Sequence, residues 1–219
     1  MTNPSQRNDA VKPSRGAKGE QTRQRILAAA EQLFAHLGFA ETRMEDVAQQ
    51  VGIRRPSLIY YFKDKQELYD AVKTDIYLDL HNQTVARIPA EAAALAKLDS
   101  LFDSWLDFMT ARPSAALIVL RNTIERRMPR QPQQARFSES VVRSFEEIVR
   151  EGQRSGEFGQ VDAVQLLMLI GNGILNFVCS GPAIGAGRAF DPAAPARAEN
   201  YRAMLHKTLR ALVLPQTDR

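Results

Sequence analysis

Cysteine and histidine are scarce in this sequence. Cys179 is the one cysteine among 219 residues, which excludes an internal disulfide and a metal site built from several cysteines. The three histidines, His36, His81 and His206, lie far apart and have no companion ligand one helical turn away. We therefore expect no metal and no cofactor, and the cysteine usage predicts a cytoplasmic protein.

Long apolar runs are also missing. The longest, Leu166–Leu175, contains Gly171, Asn172 and Gly173 and falls short of the roughly 20 residues that a membrane-spanning helix needs. The N-terminal segment is polar and basic, and it lacks the apolar core of a signal peptide. The sequence thus predicts that no part of the chain enters a membrane.

Catalytic motifs are absent as well. No arrangement of serine, histidine and aspartate stands out, and Gly185–Gly187 follows no strand, so these glycines do not form a nucleotide-binding fingerprint. The composition, 44% hydrophobic and 25% charged, is that of an ordinary globular protein. We expect a binding protein rather than an enzyme.

Positive charge is concentrated near the N-terminus. The net charge of the chain is only +4, but the start of the chain carries a group of cations against Asp9 and Glu20 alone. The cations are Arg7, Lys12, Arg15, Lys18, Arg23 and Arg25. Residues 1–19 are polar and rich in turn formers, which predicts a disordered basic arm. Such an arm is attracted to polyanions, so DNA or a membrane surface is the partner to test first; a solubilising tail is the alternative.

Apolar residues recur at helical spacing along nearly the whole chain, which predicts an all-α protein. The predicted helices are Glu20–Leu37, Arg43–Val51, Pro56–Phe62, Lys65–Arg87, Ala90–Thr110, Ser114–Arg127, Arg136–Ser155, Ala163–Ser180 and Ala196–Leu214. The short helices predict a helix-turn-helix domain over 20–66, joined through the fourth helix to a larger helical domain over 67–214, with a tail at 215–219. Asp64 and Glu67 have the spacing of a capping box at the start of the fourth helix.

The third helix carries an unusual outer face. Arg55 precedes a proline, which predicts that it caps the helix and that Pro56 occupies the first helical position. Leu58 and Phe62 share the inner face. The outer face holds Ser57, Tyr60 and Tyr61. In a helix-turn-helix the second helix enters the major groove, where arginines take guanine edges or phosphates and tyrosines donate to phosphates. A plain three-helix packing unit is the alternative, but it gives exposed paired tyrosines no purpose.

The stretch TRQRILAAAEQLFAHLGFAETRMEDVAQQVGIRRPSLIYYFKDKQELYDAV resembles the DNA-binding domain of the tetracycline-repressor (TetR) family. Its most specific pieces are the LF…GF turn, the DVAQQVGI run and SLIYYFKDKQEL, in that order. The resemblance implies that Arg55–Phe62 is the recognition helix and that Lys65 binds a phosphate at the start of the fourth helix. The residues expected to contact DNA are Thr42, Arg43, Arg54, Arg55, Pro56, Ser57, Ile59, Tyr60, Tyr61 and Lys65.

Three positions depart from the family pattern. Family members usually place serine or threonine where this chain has Arg43 and Arg54, at the caps of helices two and three. We expect Thr42 to take over the first cap in a T-x-x-E box with Glu45. Ile59 replaces the usual tyrosine, which favours apolar contact with a thymine methyl group.

The last two predicted helices, Ala163–Ser180 and Ala196–Leu214, carry broad apolar faces. They could complete the core of a monomer. The family resemblance implies instead that they form a four-helix bundle with a second subunit, giving a homodimer. A two-fold dimer would also supply the paired recognition helices that a palindromic operator in double-stranded DNA requires.

The middle helices concentrate large apolar side chains, for which core packing is the default interpretation. An effector pocket is the competing one, and it would need a few polar groups among the apolar ones. The candidates are Phe102, Trp105, Phe108, Met109, Arg121, Asn122, Glu125, Phe145, Met168, Asn172 and Asn176. This mixture favours a mid-sized, mainly apolar small molecule with one or two polar handles.

Together these patterns predict a DNA-binding transcription regulator, by family resemblance a repressor that a small effector releases from its operator. Two alternatives remain open at this stage. One is a dimer of the same fold that has no small-molecule effector. The other is a helical enzyme or adaptor, which would bind DNA without salt dependence or not at all.

Overall fold

The computed structural model describes residues 15–124, 132–180 and 190–215, which form an all-α protein. Their helices are α1 (Arg15–Glu41), α2 (Met44–Val51), α3 (Arg55–Tyr61), α4 (Lys65–Arg87), α5 (Ala94–Ala111), α6 (Pro113–Ile124), α7 (Pro132–Ser155), α8 (Ala163–Cys179) and α9 (Pro195–Val213). Across these described ranges, no helix is both long and apolar enough to cross a membrane. Some predictions fall on residues 1–14, Glu125, 185–187 and 216–219, which lie outside the described residues.

Helix α1 is longer than its apolar pattern predicts. It begins at Arg15, so residues 15–19 are helical although we assigned them to the basic arm. Its periodic apolar face starts only at Ile26, and a polar first stretch gives no periodic signal. At its other end Gly38 has a φ of 82°, which L-residues with a side chain rarely adopt, and the chain returns to helix as far as Glu41.

The caps of α2 and α3 differ from those expected. Thr42 does not cap α2: its side chain is buried and its hydroxyl donates to the Gly38 carbonyl at 2.7 Å. Arg43 is the capping residue of α2 and Arg54 that of α3, both in extended geometry and without a side-chain cap bond. Arg55 is therefore inside α3, because the restriction that a proline places on the preceding residue is a preference that a helix start can overcome.

The turn between α2 and α3 depends on Gly52. This residue is left-handed, with a φ of 76° and a ψ of 33°, as the sequence predicts for the end of α2. Its N–H donates to the carbonyls of Ala48 and Gln49. Leu58 of α3 is completely buried, and it packs in the same core as Phe34 of α1 and Val47 of α2. The three helices thus form one unit around a shared apolar core.

Helix α4 begins as the capping box predicts and matches its predicted bounds. The Asp64 carboxylate accepts from the Glu67 N–H at 2.8 Å, and the Glu67 carboxylate accepts from the Lys63 N–H at 3.0 Å. The helix packs on α1 at its beginning and on α5, α6 and α7 further along. One continuous helix therefore belongs to both the helix-turn-helix unit and the larger domain.

The larger domain is a helical bundle around α5. Phe102, Leu106, Phe145 and Ile174, from α5, α7 and α8, are almost completely buried, and the rings of Phe102 and Phe145 meet edge to face. Helix α5 starts four residues after the predicted Ala90. The Glu157 carboxylate, distant in sequence, accepts from the N–H groups of the first two residues of α5 at 2.9 and 3.2 Å, and this satisfies an end that has no local cap.

Charged side chains pair α5 with α9. Asp99, Asp103 and Asp107 recur every fourth residue on α5 and face a matching series of basic residues on the antiparallel α9. From the end of α9 backwards, these partners are Arg210, His206 and Arg202. Burial opposes ionisation of Asp107, but hydrogen bonds from Arg202 and Arg87 prevail and lower its pKa. These contacts fix α9 against one side of the bundle.

The helix-turn-helix unit is joined to the larger domain by a charged cluster around Arg112. Arg112 lies between α5 and α6, and its guanidinium bonds the nearly buried Glu31 of α1. It also bonds Asp75 and Asp79 of α4, each at 2.8 Å. The Ser114 hydroxyl completes the cluster by donating to Glu31. Burial opposes the charge of Arg112, yet hydrogen bonds with Glu31 and Asp75 raise its pKa, so the cation is permanent.

Replacing Arg112 with methionine should destabilise the protein by about 3 kcal/mol, because Glu31 would be left as a buried charge without its partner. Chemical denaturation followed by circular dichroism measures this loss. Glu31→Gln in the same chain should restore part of the stability, since no unpaired charge then remains. The exposed Arg150 of α7, changed to methionine, is the control. An unchanged unfolding midpoint for Arg112→Met would contradict the assignment.

Candidate DNA-binding surface and interior cavities

The outer face of α3 is open to solvent. Tyr60 is 86% exposed and Ile59 is 40% exposed, whereas Leu58 and Phe62 are buried beneath them. Five further residues from the predicted set are exposed around this helix. They are Arg43, Arg54, Arg55, Pro56 and Ser57. A large phenol held in water adds nothing to the core, so this face, with the exposed arginines of the same helix-turn-helix unit, is available for a polyanionic partner.

Tyr61 and Lys65 are less free than the sequence suggests. Tyr61 is half-buried against the core, and its ring meets that of Tyr60 edge to face at 5.4 Å. The Lys65 ammonium donates to the Ala40 carbonyl at 3.0 Å and lies 4.6 Å from the centre of the Phe39 ring. An ammonium carries three donors, so Lys65 can keep this bond and still reach a phosphate. Thr42, by contrast, is buried and leaves the candidate surface.

Arg55 is held by Glu45, which was expected to form a capping box with Thr42 instead. Glu45 makes no capping box with Thr42; its carboxylate accepts from Arg55 Nε at 2.6 Å, across the gap between α2 and α3. This contact occupies the inner nitrogen of the guanidinium and leaves the two terminal nitrogens for other acceptors. Two parallel donors are what the edge of guanine requires. The contact links two helices, so the i, i+3 spacing that suggested a cap could not reveal it.

Described residues of the larger domain line two neighbouring cavities that are partly open to solvent. The one we call the apolar cavity has a volume of about 250 Å³ and lies among α4, α5, α6, α7 and α8. The one we call the polar cavity, of about 430 Å³, lies among α4, α5 and α7 and includes the ion pair of Lys97 with Glu151. Leu80, Trp105 and Val141 line both. The cavities therefore adjoin at Trp105.

The described residues of the predicted pocket do not all lie together. Trp105, Met109, Met168 and Asn172 line the apolar cavity. Phe102, Phe108 and Phe145 are buried elsewhere in the core, as the default interpretation had it. Asn176 is exposed and binds within its own helix, donating to the Asn172 carbonyl. Its placement in the pocket was wrong because adjacent turns of α8 face different neighbours.

Arg121 was also placed wrongly. Its guanidinium points toward α1: a Cβ atom on Gly38 would lie 3.0 Å from Arg121 Nη1. Arg121 therefore faces the helix-turn-helix unit and not a cavity. The close approach gives Gly38 a second reason to be glycine, besides its positive φ.

Sequence reasoning missed Tyr77, which lines the apolar cavity from α4. Its phenol oxygen accepts from Asn122 Nδ2 at 3.5 Å, while Asn122 Oδ1 is buried without a hydrogen-bond partner among the described residues. Burial raises the pKa of the Tyr77 phenol, although the Asn122 bond opposes the shift. The phenol is thus protonated at neutral pH. Its position on the cavity side of α4 depends on tertiary packing, which no local pattern signals.

Comparison with known proteins identifies the family. The model of the N-terminal domain of bacterial regulatory proteins of the tetR family matches residues 26–72. The model of the tetracyclin repressor-like C-terminal domain matches residues 95–209, more than half of the chain. The chain belongs to the TetR family. Members of this family are DNA-binding transcription regulators, and the surface around α3 is part of the helix-turn-helix that the first model covers.

Individual relatives are distant. The HTH-type transcriptional regulator RutR of Escherichia coli O157:H7 is 25% identical over 145 residues, which are 66% of this chain and 68% of that protein. RutR of strain K12 is 33% identical over 91 residues, 42% of each chain. The putative transcriptional regulator SCO4942 from Streptomyces coelicolor has a TM-score of 0.66 at 27% identity, covering 88% of this chain and 98% of its own.

A further solved structure agrees in fold alone. The TetR family transcription regulator from Marinobacter aquaeolei VT8 is 16% identical, with a TM-score of 0.73 over 91% of this chain and 98% of its own. At such identity the backbone is shared while most side chains differ. The DNA contacts and cavity linings of this TetR-family chain must therefore be argued from its own residues.

Removing the Glu45 carboxylate should change affinity and selectivity in opposite directions. In Glu45→Ala, Arg55 is free to reach phosphates, so binding to random duplex DNA should strengthen and the salt slope should steepen by about one phosphate. The ability to prefer a selected site should fall about tenfold, because the arginine no longer holds one orientation. Enrichment from a randomised duplex library, followed by anisotropy titrations in a salt series, measures both quantities.

The control for this prediction is Glu41→Ala, which removes an exposed acid at the end of α1 without touching Arg55. It should strengthen binding to all duplexes alike. If Glu45→Ala also leaves the preference for the selected site unchanged, the carboxylate contributes only its charge and does not orient Arg55.

Proposed function

We propose that this TetR-family chain is a homodimeric repressor that a small molecule releases from a palindromic operator. The observation that carries the DNA-reading part is the exposed face of α3, where Tyr60 is 86% exposed and contributes nothing to the core. Arg55, oriented by Glu45, would read a base edge, and Ile59 would contact a thymine methyl group. Arg43, Arg54, Tyr61 and Lys65 would bind phosphates.

Operator binding is tested with duplexes enriched from the randomised library and with the chain's own upstream DNA. Arg55→Ala with Tyr60→Ala should lose at least tenfold in affinity for the enriched site and fall to the level of random DNA. Arg150→Ala removes an equal charge from α7, outside the helix-turn-helix unit, and should bind like the parent. Equal binding of all three proteins to the enriched site would refute the role of α3.

The dimer part of the proposal is supported by the outer faces of α8 and α9. Large apolar side chains stand in solvent there in the single chain: Val164, Met168, Leu169, Met204 and Leu212. Two of them, Met168 and Leu169, are each 59% exposed. A second copy related by two-fold symmetry would cover these faces and place two α3 helices on one side of the assembly.

Leu169→Glu should produce a monomer, because a carboxylate would have to be buried in the apolar interface. Light scattering after size exclusion measures the mass, and operator affinity should fall at least tenfold when half-sites are bound singly. Val85→Glu is the matched control, since Val85 of α4 is 58% exposed and lies off the proposed interface. A Leu169→Glu protein that keeps the parent's mass would place the interface elsewhere.

The effector part of the proposal is supported by the cavities and by helix α4, which lines them and also takes part in the Arg112 cluster. Helix α4 contributes Tyr77 and Leu80 to the apolar cavity and Asp75 and Asp79 to the Arg112 cluster. A ligand that displaces α4 would therefore act on the contact that joins the two domains. Linkage requires that such a ligand prefer the conformation whose two α3 helices no longer match successive major grooves.

A further inference from the structure

No charged side chain belongs to the described lining of the apolar cavity. Its described lining consists of aliphatic, aromatic and thioether side chains with three polar exceptions, Tyr77, Thr123 and Asn172. The Thr123 hydroxyl is already bonded to the carbonyls of Val119 and Leu120 in its own helix. A carboxylate or ammonium placed here would lose its hydration without gaining a partner, which is strongly unfavourable.

Tyr77 and Asn172 supply hydrogen-bonding side chains to the described lining of the apolar cavity. The Asn122 amide, which lies outside that lining, donates to the Tyr77 phenol oxygen at 3.5 Å. That bond leaves the phenolic proton of Tyr77 available to an acceptor. A hydroxyl or a carbonyl oxygen of a ligand can accept this proton.

The adjoining polar cavity has charged side chains in its described lining, Lys97, Glu147 and Glu151, but none of them lines the apolar cavity. Lys97 binds both carboxylate oxygens of Glu151, at 2.8 and 2.9 Å, so its charge is already neutralised. Trp105 lines both cavities. A charged head group could reach Lys97 only from the polar cavity, away from Tyr77.

We propose that the effector is an uncharged, mainly apolar molecule whose one hydroxyl or carbonyl oxygen accepts a hydrogen bond from Tyr77 in the apolar cavity. This inference rests on the proposed effector-released repressor and names the chemical class that it takes. Apolar burial supplies the affinity, and the Tyr77 phenol selects for an oxygen at one end.

Trp105 makes the test direct, because it is the only tryptophan of the chain and lines the cavity. The full-length protein is titrated at neutral pH with three probes of equal tail length: decan-1-ol, decanoate and decylammonium. Tryptophan fluorescence reports binding. We expect the alcohol to bind at least tenfold more tightly than either ion. An ion that binds as tightly as the alcohol, or three probes that fail to change the fluorescence, would overturn the inference.

Two matched variants test whether the oxygen of the ligand binds Tyr77. Tyr77→Phe removes only the phenol group and should weaken decan-1-ol binding about fivefold, the value of one hydrogen bond. Tyr201→Phe removes a half-buried phenol from α9, which lies outside both cavities and stacks on Phe177 at 3.9 Å between ring centres. It should bind the alcohol like the parent. Equal affinities in all three proteins would contradict a role for Tyr77.

Operator affinity, measured by fluorescence anisotropy in the same samples, distinguishes the ligand class from the release of the operator by a ligand. Alcohol binding that lowers operator affinity supports both. Alcohol binding that leaves operator affinity unchanged supports the ligand class and contradicts release by that ligand. Preferential binding of an ion that also releases the operator contradicts the ligand class and supports the proposed function.

Discussion

The contact on which the rest of the structure depends is the bond between Arg112 and the buried Glu31. A carboxylate with so little solvent around it is tolerated only beside a permanent cation, and Arg112 comes from the junction of α5 and α6, far along the chain. Because Asp75 and Asp79 share the same guanidinium, the position of α1 relative to α4 is set by a residue of the larger domain. The helix-turn-helix unit is thus held against the larger domain by a cation that lies outside that unit.

Local sequence patterns predict those helix ends and turns that are determined by residues close together in the chain. The bounds of α4 follow from Asp64 and Glu67, three residues apart, and the turn after α2 follows from a glycine that alone adopts its backbone angles easily. The exposed face of α3 was predictable for the same reason, since seven residues of one helix decide it.

The features that were missed arise between helices. Glu45 had the spacing of a cap partner but pairs with Arg55 of the next helix, and Thr42 satisfies the Gly38 carbonyl instead of an N–H. In the interior, composition predicted a pocket with polar handles, yet it could not tell Tyr77, on the cavity side of α4, from Arg121, which faces α1. Which neighbour a helix face meets is a property of the packed chain.

The Glu157 carboxylate, which completes the first turn of α5, has a consequence for the order of folding. The N–H groups of Ala94 and Leu95 gain their acceptor only after the segment following α7 has been synthesised and docked, more than sixty residues later. Until then the beginning of α5 frays, as an uncapped helix end does. On the ribosome, the helix-turn-helix can therefore assemble early, while the bundle around α5 closes late.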